Sequence, residues 1–185
     1  AVFSFRLSLT AVPAAAADDS PSLAGCAVLI VAPSGAEPPA IAAELARAGA
    51  DVRIASTPYE AGALAGAASA AAQPYDAMLI DARAVSDPSA TLAHLRDAAG
   101  ARVPAAVLIE PGRRTDVEAL RTGGFDAYLV RPVRRASLLR VAADIVSRIG
   151  AFCPDPGDVR PRRAPASQSP SRGMRVRLAE DNEIN

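Results

Sequence analysis

Residues 75–88 read YDAMLIDARAVSDP, and the run Ala77-Met-Leu-Ile-Asp81 inside them decides the fold. Four apolar residues without polar alternation suit a strand covered on both faces, as in the interior of a parallel sheet. The run spans Asp76 to Ile80 as a strand, with the Asp81 carboxylate at its carboxyl end. Working outward, similar runs recur at Cys26–Val31, bounded by Pro33 and Gly35, at Asp51–Ala55, at Ala105–Ile109 and at Ala127–Val130. Alanine-rich segments with helical signals lie between them. Pro38 and Pro39 start a helix whose apolar face is Ile41, Leu45 and Ala48 and which Gly49 stops. Thr57 caps a second helix reaching about Ala72, and a third covers roughly Ser89 to Ala99. A fourth runs from about Arg114 to Thr122 and ends at Gly123-Gly124, and a fifth from about Ala136 to Ile149. Five βα units at this spacing predict an α/β chain: a parallel five-stranded sheet with helices on both faces.

Composition narrows the class. The chain has 185 residues, half of them hydrophobic but only 4% aromatic, and its 20 basic residues are all arginine against 20 acidic ones. Zero formal charge disfavours general binding to DNA. Cys26 and Cys153 have no metal-like spacing and point to a reducing, cytoplasmic setting. No apolar run reaches the roughly 18 residues of a membrane span, and residues 1–10 lack the basic start of a signal peptide. Composition shifts divide the chain into 1–22, a strand-like alternation followed by a linker; 23–150, the βα block; 151–173, a Pro/Arg/Ser-rich linker expected to be disordered; and 174–185, which begins like a new strand. Lone His94, on the third helix, reads as a surface residue.

The runs YDAMLIDARAVSDP, VPAAVLIEP and GFDAYLVRPVRRASLL resemble strands three to five of a response-regulator receiver domain. The resemblance covers about residues 23–150 and implies a flavodoxin-like (βα)5 fold with strand order 2-1-3-4-5. FSFRLSL near the start resembles the last strand of a histidine-kinase ATP-binding domain, and RVRLAEDNEIN at the end resembles the first strand of a second receiver. That order is similar to a hybrid histidine kinase. The family phosphorylates an aspartate at the position of Asp81, using Mg²⁺ held by an acidic pair after strand one. Here that segment is Val31-Ala32-Pro33. The hydroxyl expected after strand four is Ile109, and the lysine expected before the strand-five proline is Arg131, whose planar head differs from a compact ammonium. A pseudo-receiver is expected, with Asp81 a vestigial, Arg-paired or solvated carboxylate and no bound Mg²⁺. Glu180 and Asp181 resemble the acidic pair of the following receiver, whose own phosphoacceptor lies beyond residue 185.

Seven arginines stand between Pro111 and Arg140. Arg113 and Arg114 are expected to open helix four, and Arg131, Arg134 and Arg135 to sit in the loop after strand five. Loops at the carboxyl ends of neighbouring strands converge in this fold. Arginine heads grip phosphates and the guanine edge, and the Tyr128 ring can stack on a base. Arg131-Pro-Val-Arg-Arg135 and Arg113-Arg-Thr-Asp116 resemble short cyclic di-GMP-binding motifs, and hybrid kinases gated by that dinucleotide supply a family precedent. Arg114, Tyr128 and Arg134 are the preferred contacts. Arg83, after strand three, is expected to matter much less. Asp155, Asp158 and Arg160 read either as a solvated loop or as an autoinhibitory latch against the kinase core or the pseudo-receiver, holding back the second receiver. The alternatives are a ligand-free scaffold or dimerisation domain, and an ordinary receiver phosphorylated on Asp81.

Overall fold

The computed structural model of the chain describes residues 21–147, apart from the side chains of 113–115. Expectations for Cys153, Asp155, Asp158, Arg160, Glu180, Asp181 and the flanking segments lie outside the described residues. Five strands form one parallel sheet: β1 (Ala27–Val31), β2 (Asp51–Ala55), β3 (Ala77–Asp81), β4 (Ala105–Ile109) and β5 (Ala127–Val130). Their order is 2-1-3-4-5. A lateral row runs Ile54, Ile30, Leu79, Ala106, Ala127 across the sheet. The helices are α1 (Glu37–Arg47), α2 (Pro58–Ala70), α3 (Pro88–Ala99), α4 (Val117–Thr122) and α5 (Arg135–Ser147).

Strand side chains alternate between two cores. Ile30, Leu79, Leu108 and Leu129 pack with Ile41, Leu45, Leu138 and Ile145 beneath α1 and α5. Leu29, Met78, Val107 and Tyr128 pack with Ala61, Leu92, Leu95 and Leu120 beneath α2, α3 and α4. Burying each such leucine or isoleucine is worth about 1.5–3 kcal/mol, which is why runs apolar on both faces form this sheet.

Caps set the helix ends. The Thr57 hydroxyl accepts from Glu60 N at 3.1 Å, and Asp87 accepts from Ser89 N and Ala90 N at 2.9 and 3.0 Å. After α1 the chain turns at Gly49 with φ +101°, where an added Cβ would stand 3.0 Å from the Ala24 backbone. His94 is exposed on α3, as expected, and its Nε2 would lie 3.1 Å from a Cβ added at Gly62 of α2.

The fourth helical segment departs from expectation. Residues Pro111–Asp116 form a 3-10 helix, and only Val117–Thr122 are α-helical. Gly112 disfavours helix, Asp116 supplies no side-chain cap, and Leu120 is the one buried residue that α4 contributes. Too little apolar surface is available to hold a longer helix there. Arg113 and Arg114 therefore belong to the 3-10 segment, and Arg135 is the first residue of α5 rather than part of the preceding loop.

Candidate functional site

Parity places Asp81. Ala77 and Leu79 face the α1–α5 layer while Met78 and Ile80 face the other, so Asp81 turns toward α1 and α5. The same alternation on β5 directs Ala127 and Leu129 to that layer, and Arg131, two residues further, follows them. Residues 50 positions apart thus meet at the carboxyl ends of β3 and β5.

The Asp81 side chain is 1% exposed. Arg131 Nη2 donates to Asp81 Oδ2 at 2.6 Å, and Arg131 Nε donates to both Glu37 oxygens at 3.0 Å. Arg83 donates to Asp81 through its backbone N–H at 2.8 Å and through Nη2 at 3.0 Å. The same Nη2 donates to Glu37 Oε2 at 2.6 Å. Glu37 opens α1, where the helix dipole favours a carboxylate. Two carboxylates and two guanidiniums close a neutral ring. Asp81 raises the Arg83 pKa above its ordinary value, chiefly by accepting its hydrogen bond, and outweighs the opposing effect of desolvation. One donor is left over: Arg131 Nη1 is buried with no acceptor among the described residues.

The donor set does not fit Mg²⁺. That ion demands near-octahedral oxygen ligands. Ala32 stands alongside Asp81, one register step past the Val31–Ile80 pair, and offers none. Both nearby carboxylates are already taken by guanidinium donors, and a divalent cation would enter between two positive heads. Phosphoryl transfer to Asp81 would replace its one carboxylate charge by the two of an acyl phosphate, and the attacking oxygen would first have to leave the guanidinium donors that hold it. Ile109, at the position expected for a hydroxyl, is buried and faces the α2–α4 layer.

The remaining arginines divide. Arg135 Nε donates to Glu44 Oε2 of α1 at 3.0 Å. Glu44 also accepts from Arg47. That hydrogen bond is the first cause holding the Glu44 carboxyl below its usual range; desolvation opposes it and Arg135 adds to it. Arg134 is exposed and forms no ion pair with the described residues. Tyr128 is 8% exposed and packs with Val107, Ile109 and Leu120 on the layer opposite Arg131. The structure thus brings Arg131, Arg134 and Arg135 together at the start of α5 and puts Tyr128 on the other face of the sheet. Arg113 and Arg114 lie on the 3-10 segment beside that second face.

Glu37, Glu44 and Arg83 were not singled out from sequence as parts of the site. Glu37 could have been found as an acidic residue in the first turn of the helix that follows β1. Arg83 stands two residues after Asp81, close enough to fold back on it.

No protein-family model and no curated protein matches the chain. Solved structures do. The receiver domain of the sensor histidine kinase PA1611 from Pseudomonas aeruginosa PAO1, which has a magnesium ion coordinated in its active-site cleft, is 28% identical. It covers 67% of this chain and 99% of that domain at a TM-score of 0.56. The described residues have the receiver fold. A response-regulator receiver domain protein from Clostridium thermocellum, 16% identical, matches over 66% of this chain and 95% of that one at a TM-score of 0.58. A structure of ShkA Rec1 in complex with c-di-GMP is 28% identical over 67% of this chain and 92% of that one. Its TM-score of 0.46 is too low for its ligand to bear on the present receiver. Among the described residues no helix is long and apolar enough to cross a membrane.

Proposed function

We propose that this receiver is the regulatory pseudo-receiver of a hybrid histidine kinase: it takes no phosphoryl group, binds no Mg²⁺, performs no catalysis, and responds instead to cyclic di-GMP. The observation that carries the reading is the neutral ring of Asp81, Arg131, Arg83 and Glu37, which uses the phosphoacceptor position as an internal anchor. Beside that ring, Arg134 and Arg135 at the start of α5 are exposed to solvent. Arg134 is the first contact, because its head is uncommitted among the described residues. Arg135 and Arg114 are further contacts, taking phosphates or the guanine edge. Stacking on Tyr128 requires the segment carrying Val117 and Leu120 to shift, because those residues pack in the cluster that covers the ring. In the parent kinase the ligand would relieve autoinhibition by favouring an arrangement in which Asp155, Asp158 and Arg160 release the kinase core and the second receiver.

Titration calorimetry of the chain with cyclic di-GMP tests the reading. Saturable binding is expected at micromolar concentrations, and Arg134→Ala should weaken it by about 1–3 kcal/mol, the worth of one bidentate arginine–guanine contact. Absence of binding would leave the basic surface as a scaffold for protein contact.

A further inference from the structure

β2 ends the sheet on one side and is bonded to β1 alone among the described strands. Asp51 N–H donates to Cys26 O at 2.8 Å, and Ala55 O accepts from Ala32 N–H at 3.0 Å. Residues 51, 53 and 55 thus turn their backbone groups inward, toward β1. The backbone groups of Val52 and Ile54 point outward, where no described residue pairs with them.

An open strand edge invites a further strand, and natural edges commonly carry charges that repel a copy of themselves. Here the charges alternate in sign. Asp51 and Arg53 share the face of Ala55, which packs in the α2–α4 layer, and both are exposed. Neither side chain forms an ion pair with a described residue. On the opposite face Ile54 is 37% exposed. The flanking helices present little charge: α2 holds Glu60 alone within Pro58–Ala70, and Arg47 is the one charged residue among the fully exposed positions of α1. Their small side chains let helices of two copies approach to the ordinary packing distance of about 8–10 Å.

We infer that β2 is a self-pairing edge: two copies of this chain join antiparallel about a twofold axis through Val52, making one continuous sheet. Val52 N–H donates to Val52 O of the second copy and accepts the reciprocal bond, and Ile54 N–H reaches the Ala50 carbonyl across the axis. Asp51 then stands opposite Arg53 of the second copy, and Arg53 opposite its Asp51. These are non-hydrogen-bonded positions, where facing Cα atoms are about 4.5 Å apart and side chains lie closest. Other registers lose this match. A twofold through Arg53 opposes arginine to arginine, one through Asp51 opposes carboxylate to carboxylate, and a slip of one residue sets outward backbone groups against inward ones. Neither a ligand nor the arginines of α5 enter this contact.

Sedimentation velocity on the full chain, from micromolar to millimolar concentration, tests the pairing. A reversible dimer with a micromolar Kd is expected, as for a small interface. Arg53→Asp sets carboxylate against carboxylate on both sides of the axis and should weaken the dimer by at least about tenfold. Asp51→Arg combined with Arg53→Asp restores opposite charges in the same register, and dimerisation should return. Both positions are exposed, so neither change disturbs the core. Amide exchange at Val52 and Ile54 should slow as concentration rises, while the Arg53 amide, already bonded to β1, should not change. Three results would each overturn the pairing: a wild-type chain that stays monomeric at millimolar concentration, single and double variants that dimerise equally, or concentration-dependent protection confined to residues outside β2.

Discussion

At the scale of residues, Asp81 and Asp126 solve one problem at opposite ends of the sheet. Each carboxylate is nearly fully buried, and each is held by two arginines: Asp81 by Arg83 and Arg131, Asp126 by Arg96 and Arg102 at 3.0 and 2.9 Å. Asp126 also accepts from Ala105 N at 3.0 Å, and Arg96 donates to the carbonyls of Val103 and Gly124. A buried pair adds little net stability over a well-packed apolar pair, but removing one partner strands a charge at a cost of about 3–5 kcal/mol. Exposure then ranks the arginines around Asp81. Arg131→Met should lower the unfolding free energy by roughly 3 kcal/mol, since Asp81 loses its buried partner. Arg83, 42% exposed at its side chain, should cost no more than about 1 kcal/mol on the same change, because water can replace much of what it gives. Urea titrations of the two variants decide the matter, and equal losses would mean that the ring does not depend on Arg131 as the geometry indicates. Sequence could announce Asp81, as a carboxylate closing an apolar run, and could expect an arginine beside it. It could not tell which one: Arg131 and Glu37 are 94 positions apart and meet only after the sheet order is known.

At the scale of elements, the strands were the most legible part of the sequence and the helix ends less so. β4 and β5 begin and end where the apolar runs do, because a strand buried on both faces admits no polar residue until it leaves the sheet. β3 is shifted by one residue from the expected Asp76–Ile80, beginning at Ala77 and taking Asp81 into the ladder, where the arginines make a carboxylate tolerable. The fourth helix was misjudged because its pattern was read from turn signals and arginines, while its burial rests on Leu120. α2 shows the opposite case. It has little amphipathic pattern, being mostly alanine and glycine, yet its start was readable from Thr57. Glu60 completes that start by accepting from Ser56 N and Ser56 Oγ, both at 2.8 Å. These bonds hold the Glu60 carboxyl below its usual range, the backbone one first. Its folded pKa lies below its unfolded value of about 4.3. The capping bonds therefore stabilise the fold above that pH and are lost as pH falls through the folded value. Thr57→Ala should cost about 1 kcal/mol at neutral pH. Glu60→Gln should flatten the decline of stability on the acid side, and a stability–pH profile unchanged by Glu60→Gln would contradict the assignment.

At the scale of the whole molecule, the same fold that gathers a metal and a phosphoryl group in a working receiver here gathers charges that cancel. The sheet order brings the carboxyl ends of β1, β3 and β5 together, and what stands at those ends decides the chemistry. Ala32, Asp81 and Arg131 stand in those places here, and Glu37 closes the ring. A ligand that binds the folded chain alone stabilises it by RT ln(1 + [L]/Kd), about 2.7 kcal/mol at a concentration a hundred times Kd. For a domain of this size that corresponds to a rise in Tm of roughly 5–10 °C. Thermal unfolding therefore separates the two kinds of receiver in one experiment. Cyclic di-GMP should raise Tm by that amount in wild-type chain and by clearly less in Arg134→Ala. Millimolar Mg²⁺ with an acyl phosphate should leave Tm unchanged, and intact-mass analysis should find no phosphoryl adduct on Asp81. A stoichiometric adduct that disappears in Asp81→Asn would show that the arginine ring opens to admit phosphate, and would return the domain to phosphotransfer.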